Sequence, residues 1–277
     1  MIFREANIDD WGKLKIFFTE IYRKNHPLQN KEFWNWQYGN SKYGRSLICL
    51  SENDEIIGHL GVNFGGGLAW TLNLFICENY RGKGISEELH DLVRQYYPLA
   101  AVSASEMGLK MYRRLGWIRY YNLVRYVKVN PEIEIKSFEN VCKPIEVSIE
   151  TLITKKTHFA QQPTIKCIGL KGNSIAVSQQ EVGGLRLIDF ENLNELEEHA
   201  WSLGFLWLDY VTSWNDFKTE ILEQNSWVLD YKGVVPWLLN PVKKNHFCEI
   251  SFLSEKPLEN EFIVRRYYSD HGRIGSL

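Results

Sequence analysis

Leu72-Asn-Leu-Phe-Ile-Cys-Glu-Asn-Tyr-Arg-Gly-Lys-Gly-Ile-Ser-Glu-Glu-Leu89 decides how this chain is read. Its first residues form an apolar run that predicts a strand, and a helix follows directly after Ser86. Between the two, Arg81-Gly-Lys-Gly-Ile-Ser86 sets glycines where the backbone must turn sharply. Consecutive N–H groups at the start of that helix then face one point. Open donors there, with the positive end of the helix dipole, favour a phosphate. Arg81 and Lys83 add two cations. The stretch reads as a pyrophosphate cradle.

The rest of the composition sets few limits. A chain of 277 residues holds one large or two small domains with a substantial core. A net charge of −2 gives no overall field for nucleic acid, and the basic residues have no arrangement for reading one. The five cysteines, Cys49, Cys77, Cys142, Cys167 and Cys248, show no CxxC spacing and read as free thiols of a reducing compartment. No signal-peptide pattern and no membrane-length apolar run is present, so a cytoplasmic protein is expected. The seven histidines are dispersed, without HxxxH or HExxH, and no metal is expected. Aromatic content is 14 %, which suits flat ligands, sugars or an interface, although core packing accounts for most such residues.

Outward from the cradle, the pattern predicts a strand at 2–4, a helix capped at Asp9 or Asp10 and running to Tyr22, and a hairpin of 46–51 with 56–64. Strand 68–77, the cradle and a helix to Tyr97 follow. A strand at 98–103, a helix at 107–115 ended by Gly116, and a mostly extended run 117–129 complete the first half. The aromatic segment Phe33-Trp-Asn-Trp-Gln-Tyr38 fits no element clearly. Residues 131–145 read as a linker between domains at 1–130 and 146–277. The second half predicts paired strands at 174–178 and 185–189, a helix at 194–203, a strand at 205–211 and a helix at 214–224. Strands at 226–230, 248–253 and 262–268 follow, so the order of the first half is repeated.

The first half resembles the Gcn5-related N-acetyltransferase (GNAT) family. The resemblance rests on Arg81-Gly-Lys-Gly84-Ile-Ser86, with Ser where a smaller residue is usual, and on Tyr112 four residues before Gly116-Trp117. It implies an α/β fold, a twisted, mostly antiparallel sheet flanked by helices, with a second domain of the same type. It also implies coenzyme A as the acyl carrier. The amides of Gly82, Lys83, Gly84, Ile85 and Ser86 would hold its pyrophosphate beside Arg81, and Leu74, Phe75 and Ile76 would pair with its pantetheine arm. Tyr112 would protonate the departing thiolate.

A general base is not evident. The polar positions of strand 68–77, Thr71 and Asn73, take no proton at neutral pH. His59 is a candidate working through water, or a hydrogen-bonded structural histidine, and Asn73 stays in the candidate catalytic set with Tyr112. His90 and Asp91 are weaker candidates that fit a solvated helix face. Ser103 and Ser105 read either as ligand contacts or as helix caps. Nine Lys/Arg stand against four acids over 81–128, which suits a phosphate-bearing carrier or solvated helix faces. The basic, tyrosine-rich tail around Arg265, Arg266, Tyr267, Tyr268, His271 and Arg273 reads either as a phosphate and base clamp for the acceptor or as a frayed surface end.

The expected function is acyl transfer from an acyl-coenzyme A to a primary amine without a covalent enzyme intermediate. The two-domain layout is also similar to N-acyltransferases acting on dTDP-linked 4-amino-4,6-dideoxy sugars of bacterial surface polysaccharides. The alternatives are an aminoacyl transferase on a cell-wall precursor and a non-catalytic acyl-coenzyme A sensor. No partner beyond the acyl carrier and a small acceptor is implied.

Overall fold

The computed structural model describes residues 1–40, 42–103, 106–147, 163, 167–229, 250–259 and 262–268. The chain divides into two compact units, one of Met1–Tyr121 with Ser251–Leu258, the other built from 122–250 and 259–275.

In the first unit the elements are β1 (Ile2–Glu5), α1 (Trp11–Ile21), α2 (Lys31–Tyr38), β2 (Gly44–Leu50), β3 (Ile56–Gly65), β4 (Leu68–Ile76), α3 (Ile85–Arg94), β5 (Leu99–Ser103), α4 (Glu106–Arg114) and β6 (Ile118–Asn122). Helix α1 is preceded by a short 3-10 turn in which Asn7 and Asp10 form a reciprocal capping box. Its buried Leu14, Phe17 and Phe18 fall at i, i+3 and i+4, the spacing of one helix face. The unassigned aromatic segment is helix α2, whose start is capped by the Asn30 side chain on the Phe33 amide.

The second unit holds β7 (Val124–Val129), α5 (Phe138–Val141), β8 (Cys167–Leu170), β9 (Ser174–Gln179), β10 (Gly184–Asp189), α6 (Leu193–Ser202), β11 (Trp207–Thr212), α7 (Lys218–Gln224) and β12 (Val228–Leu229). The last strand, β13 (Ser251–Ser254), returns to the first unit. The two sheets run β1-β2-β3-β4-β5-β13-β6 and β12-β7-β11-β10-β9-β8.

Apart from the extra β1 both sheets follow one plan: antiparallel strands (β1–β4 in the first, β8–β10 in the second), a parallel step (β4 to β5, β10 to β11), an inserted antiparallel strand and a final strand. The inserted strand is exchanged. Strand β13, from near the C-terminus, fills the place between β5 and β6, and β7, from before the second unit's other strands, fills the place between β11 and β12. The run 117–129 therefore splits into β6 and β7, one in each sheet, where a single strand was expected. A strand of that full length would exceed the usual 3–10 residues. Residues 262–268 are not a strand: Val264 donates its amide to Ser213 Oγ, and a 3-10 turn covers Arg266–Tyr268. Helix α7 starts at Lys218 rather than 214. Among the described residues no helix is long and apolar enough to cross a membrane.

Candidate active site

The parallel pair of the first sheet is short. Strands β4 and β5 are in register only at Ala69↔Leu99 and Trp70↔Ala100. Beyond these pairs β4 continues to Ile76 and the two strands part, leaving a crease. Residues Leu68–Leu72 of β4 are buried, whereas Asn73–Ile76 are partly open. A strand edge without a neighbour presents its N–H and C=O groups to any extended ligand laid beside it.

The segment expected to cradle a phosphate follows the end of β4. Gly82 and Gly84 have φ of +77° and +76°, the left-handed region that glycine enters without strain. Gly84 is the N-cap of α3, with no side chain serving as cap. Among the described residues the amides of Gly82, Lys83, Gly84, Ile85 and Ser86 meet no protein acceptor. A Cβ built at Gly82 or Gly84 has no heavy atom within 4 Å, so the protein leaves the space beside the loop open. These features fit a diphosphate. Arg81 folds back, donating to the Ile76 carbonyl at 3.1 Å and lying over the Phe75 ring, and Lys83 lies over Tyr80.

Helix α3 is held by Ile85, Leu89 and Val93, which join a core with Leu47, Ala69, Leu99 and Trp117. His90 is wholly buried, not on a solvated face. Its Nδ1 donates to the Ser86 carbonyl at 2.6 Å, while Nε2 meets no partner among the described residues. Burial, helped by Arg94, pushes its pKa down to about 4 against the raising effect of that hydrogen bond. Asp91 pairs with Arg94.

Tyr112 is buried on α4, and its hydroxyl meets Thr71 Oγ1 at 2.9 Å. Thr71 Oγ1 also lies 3.4 Å from the Ala100 carbonyl. Tyr112 thus reaches β4 one residue past its last pair with β5. His59, in contrast, is fully buried, with Nδ1 3.0 Å from the Asn73 carbonyl and Nε2 2.9 Å from Ser46 Oγ. Because a carbonyl only accepts, Nδ1 carries the proton and Nε2 accepts from Ser46. That is the hydrogen-bonded structural arrangement. Asn73 has a φ of +52° and donates from Nδ2 to Tyr38 Oη at 2.9 Å.

The described tail residues are held by carboxylates of their own unit. Arg265 pairs with Asp216 at 3.0 Å and Arg266 with Asp209 at 2.9 Å, both carboxylates of the second unit. Arg125 and Arg186 also face Asp209. Burial acts to raise that carboxyl, but the guanidiniums of Arg266, Arg186 and Arg125 hold it well below the usual range. Tyr267 is partly exposed, with burial pushing its hydroxyl up to about 12, and Tyr268 packs edge-on against it. His271, Arg273 and Ser105 lie outside the described residues. Of the nine basic residues counted over 81–128, Arg94 pairs with Asp91 and Glu255, while Arg125 and Lys128 pair with Asp209 and Glu197 of the second unit.

The second sheet offers no equivalent crease among its described residues. Strands β10 and β11 stay in register over four pairs, Gly184↔Trp207 to Leu187↔Tyr210. At the start of α6 the Asn192 side chain caps the Glu195 amide, and the Gly172 carbonyl takes the amides of Glu191 and Asn192. Three of the amides around this helix start, those of Glu191, Asn192 and Glu195, are thereby taken by protein acceptors.

Residues 11–117 match the model of the acetyltransferase (GNAT) family. The match takes in less than half of the chain, and the protein is an enzyme of the coenzyme A-dependent N-acyltransferase class. The whole chain is similar in fold to a candidate acetyltransferase from Pyrococcus horikoshii, at 16 % identity over 92 % of this chain and 89 % of that one, with a TM-score of 0.51. It is likewise similar to a conserved protein of unknown function from Enterococcus faecalis V583 described as a candidate N-acyltransferase, at 11 % identity over 85 % and 75 % of the chains and a TM-score of 0.51. A comparison with curated proteins gives no match.

Proposed function

We propose that the protein transfers the acyl group of an acyl-coenzyme A to a primary amine by direct attack, in the crease between β4 and β5. The observation that carries this reading is the early parting of those strands, with the open cradle at one end of the crease and Tyr112 at its foot. Coenzyme A supplies the activated thioester. The amides of 82–86 bind its diphosphate, the edge of β4 from Leu74 to Ile76 orients the arm, and a backbone N–H of β4 polarises the carbonyl. Tyr112 Oη donates a proton to the departing sulfur, with Thr71 holding the hydroxyl in place. The amine attacks neutral, losing its proton to water, since β4 carries no carboxylate.

For the acceptor we propose the amine of a nucleotide-linked amino sugar of the dTDP-4-amino-4,6-dideoxyhexose type. Support for it is the two-unit layout and the aromatic helix α2, not the tail, whose arginines are held by Asp216 and Asp209. To the second unit we assign a structural role, supported by its closed parallel pair. The test is thiol release from acetyl-coenzyme A with a panel of amines that includes the dTDP-linked sugar. Turnover with no panel amine, despite coenzyme A binding, favours a sensor and removes the enzymatic reading. Turnover with simple amines alone removes the nucleotide-sugar acceptor.

A further inference from the structure

Strand β4 carries one residue too many opposite β3. The register runs His59↔Phe75 and then Gly61↔Leu72, so Asn73 and Leu74 together face Leu60. This is a β-bulge, and Asn73 takes its left-handed position at φ +52°. An L-residue there is strained, although Asn tolerates it better than most. The bulge lies on the part of β4 that has left β5, where the crease is open.

Two side chains bond Asn73, and two more, from other elements, hold the first of these. From β3, His59 Nδ1 donates to the Asn73 carbonyl at 3.0 Å, and from β2 Ser46 donates to His59 Nε2 at 2.9 Å, which fixes the tautomer. From the end of α2, Tyr38 Oη accepts from Asn73 Nδ2 at 2.9 Å. Phe18 of α1 packs edge-on against the His59 ring, with centroids 5.0 Å apart. Gly61 leaves room for this arrangement, because a Cβ there would collide with Tyr38 Oη. Ser46, His59 and Tyr38 are all at least 97 % buried, with exposures of 1 %, 0 % and 3 %. His59 and Tyr38 both bond Asn73, and Ser46 bonds His59.

We propose that Tyr38, His59 and Ser46 are positioning residues that lock the left-handed backbone at Asn73 and so aim a bulge amide of β4 at the thioester carbonyl. The inference rests on the reading of β4 given above, in which its backbone polarises that carbonyl. A bulge leaves one residue outside the regular ladder, and only a fixed backbone keeps the released amide on one target. Without the pins, Asn73 relaxes toward an ordinary extended conformation and the register of the residues beyond it slips. His59 then acts through Asn73 and is not the general base: its one proton is committed to a carbonyl, and its other nitrogen already accepts.

The test needs no acceptor. Acetyl-coenzyme A carrying 13C at the acyl carbonyl is bound to the full chain, its affinity is measured by calorimetry, and its carbonyl stretch is read by difference infrared spectroscopy. The wild-type band is expected below that of free acetyl-coenzyme A. In His59→Ala and Tyr38→Phe the band is expected to return more than half-way, with the dissociation constant within about threefold of wild type. His59→Asn, whose side-chain amide can donate where Nδ1 does, is expected to recover part of the shift, and Asn73→Gly to keep more of it than Asn73→Ala. A full shift in both His59→Ala and Tyr38→Phe overturns the proposal. A wild-type carbonyl that binds unshifted removes the polarising role of β4 and the proposal with it, while no binding at all points to the cradle instead. Should His59→Ala lose its fold by circular dichroism, Tyr38→Phe and Ser46→Ala, each lacking one hydroxyl, decide the matter.

Discussion

Tyr112 Oη and Thr71 Oγ1 lie 2.9 Å apart, one residue past Trp70↔Ala100, the last pair that joins β4 to β5. The hydroxyl of the proposed acid is therefore anchored to the strand along which the thioester lies. Tyr112 is further fixed by Trp117, with ring centroids 4.5 Å apart and the Trp117 amide bonded to the Tyr112 carbonyl at 3.0 Å. This explains the Gly116-Trp117 pair physically: the turn after α4 brings the indole back over the tyrosine.

Removing the acid should slow the chemical step and leave binding alone. Tyr112→Phe is expected to lower the rate of thiol release by about 10²-fold or more, the usual contribution of a positioned proton donor, with little change in coenzyme A affinity. Thr71→Val, nearly the same in volume, should cost less because it only frees the tyrosine hydroxyl. The check is steady-state kinetics with any amine the enzyme accepts. A Tyr112→Phe rate equal to wild type would remove the acid role.

The cradle can be closed without touching the core. Since a Cβ at Gly84 meets no protein atom, Gly84→Leu should fold, losing roughly 1–2 kcal/mol to left-handed strain. Its side chain would nonetheless occupy the hollow that the amides of 82–86 face. Coenzyme A affinity is expected to fall at least about tenfold by calorimetry. Unchanged affinity in a folded Gly84→Leu would place the diphosphate elsewhere.

His90 ties stability to pH. Burial lowers its pKa to about 4, against an ordinary 6.5, so the unfolded chain holds more protons between those values. Stability contributed by neutral His90 is intact above pH 6.5 and is lost as the pH falls toward 4. Between pH 7 and pH 5 this amounts to roughly 2 kcal/mol. Urea unfolding at the two pH values is expected to show that loss in wild type, and a loss smaller by about that amount in His90→Phe. An equal loss in both would mean that His90 does not titrate as its burial implies.

How far the sequence revealed this depends on whether the deciding interaction is local. The strand–turn–helix around Gly82 and Gly84 was legible because glycine spacing between a strand and a helix is a local signal, and the helix that carries Tyr112 because Gly116 ends it. The strands at 46–51, 56–64 and 68–77 were legible from apolar runs broken by turn residues. Helix α2 was not, since four aromatics in eight residues blur its period and its clearest mark is the single cap Asn30. The bulge at Asn73 was hidden too: it depends on partners 14 and 35 residues away, His59 and Tyr38. The tail misled for a related reason. Arg265 and Arg266 look like a phosphate clamp in sequence, and only the fold shows Asp216 and Asp209 waiting for them.

The strand exchange makes the first unit depend on residues far along the chain. Phe252 of β13 stacks between Trp70 and Tyr120, with centroids 5.5 Å and 5.4 Å away, and Ser251–Ser254 pair with Ala100–Ser103 of β5. A fragment of residues 1–130 keeps the cradle and Tyr112 but lacks β13, so β5 and β6 face an unfilled place with unpaired backbone groups. That fragment is expected to show no cooperative melting transition and no coenzyme A binding. In the full chain, Phe252→Ala should cost about 3–5 kcal/mol, the usual range for a buried phenylalanine. Amide exchange in β5 should rise with it, although the substitution lies some 150 residues away. A 1–130 fragment that melts cooperatively and binds coenzyme A would show that β13 is dispensable to the first sheet.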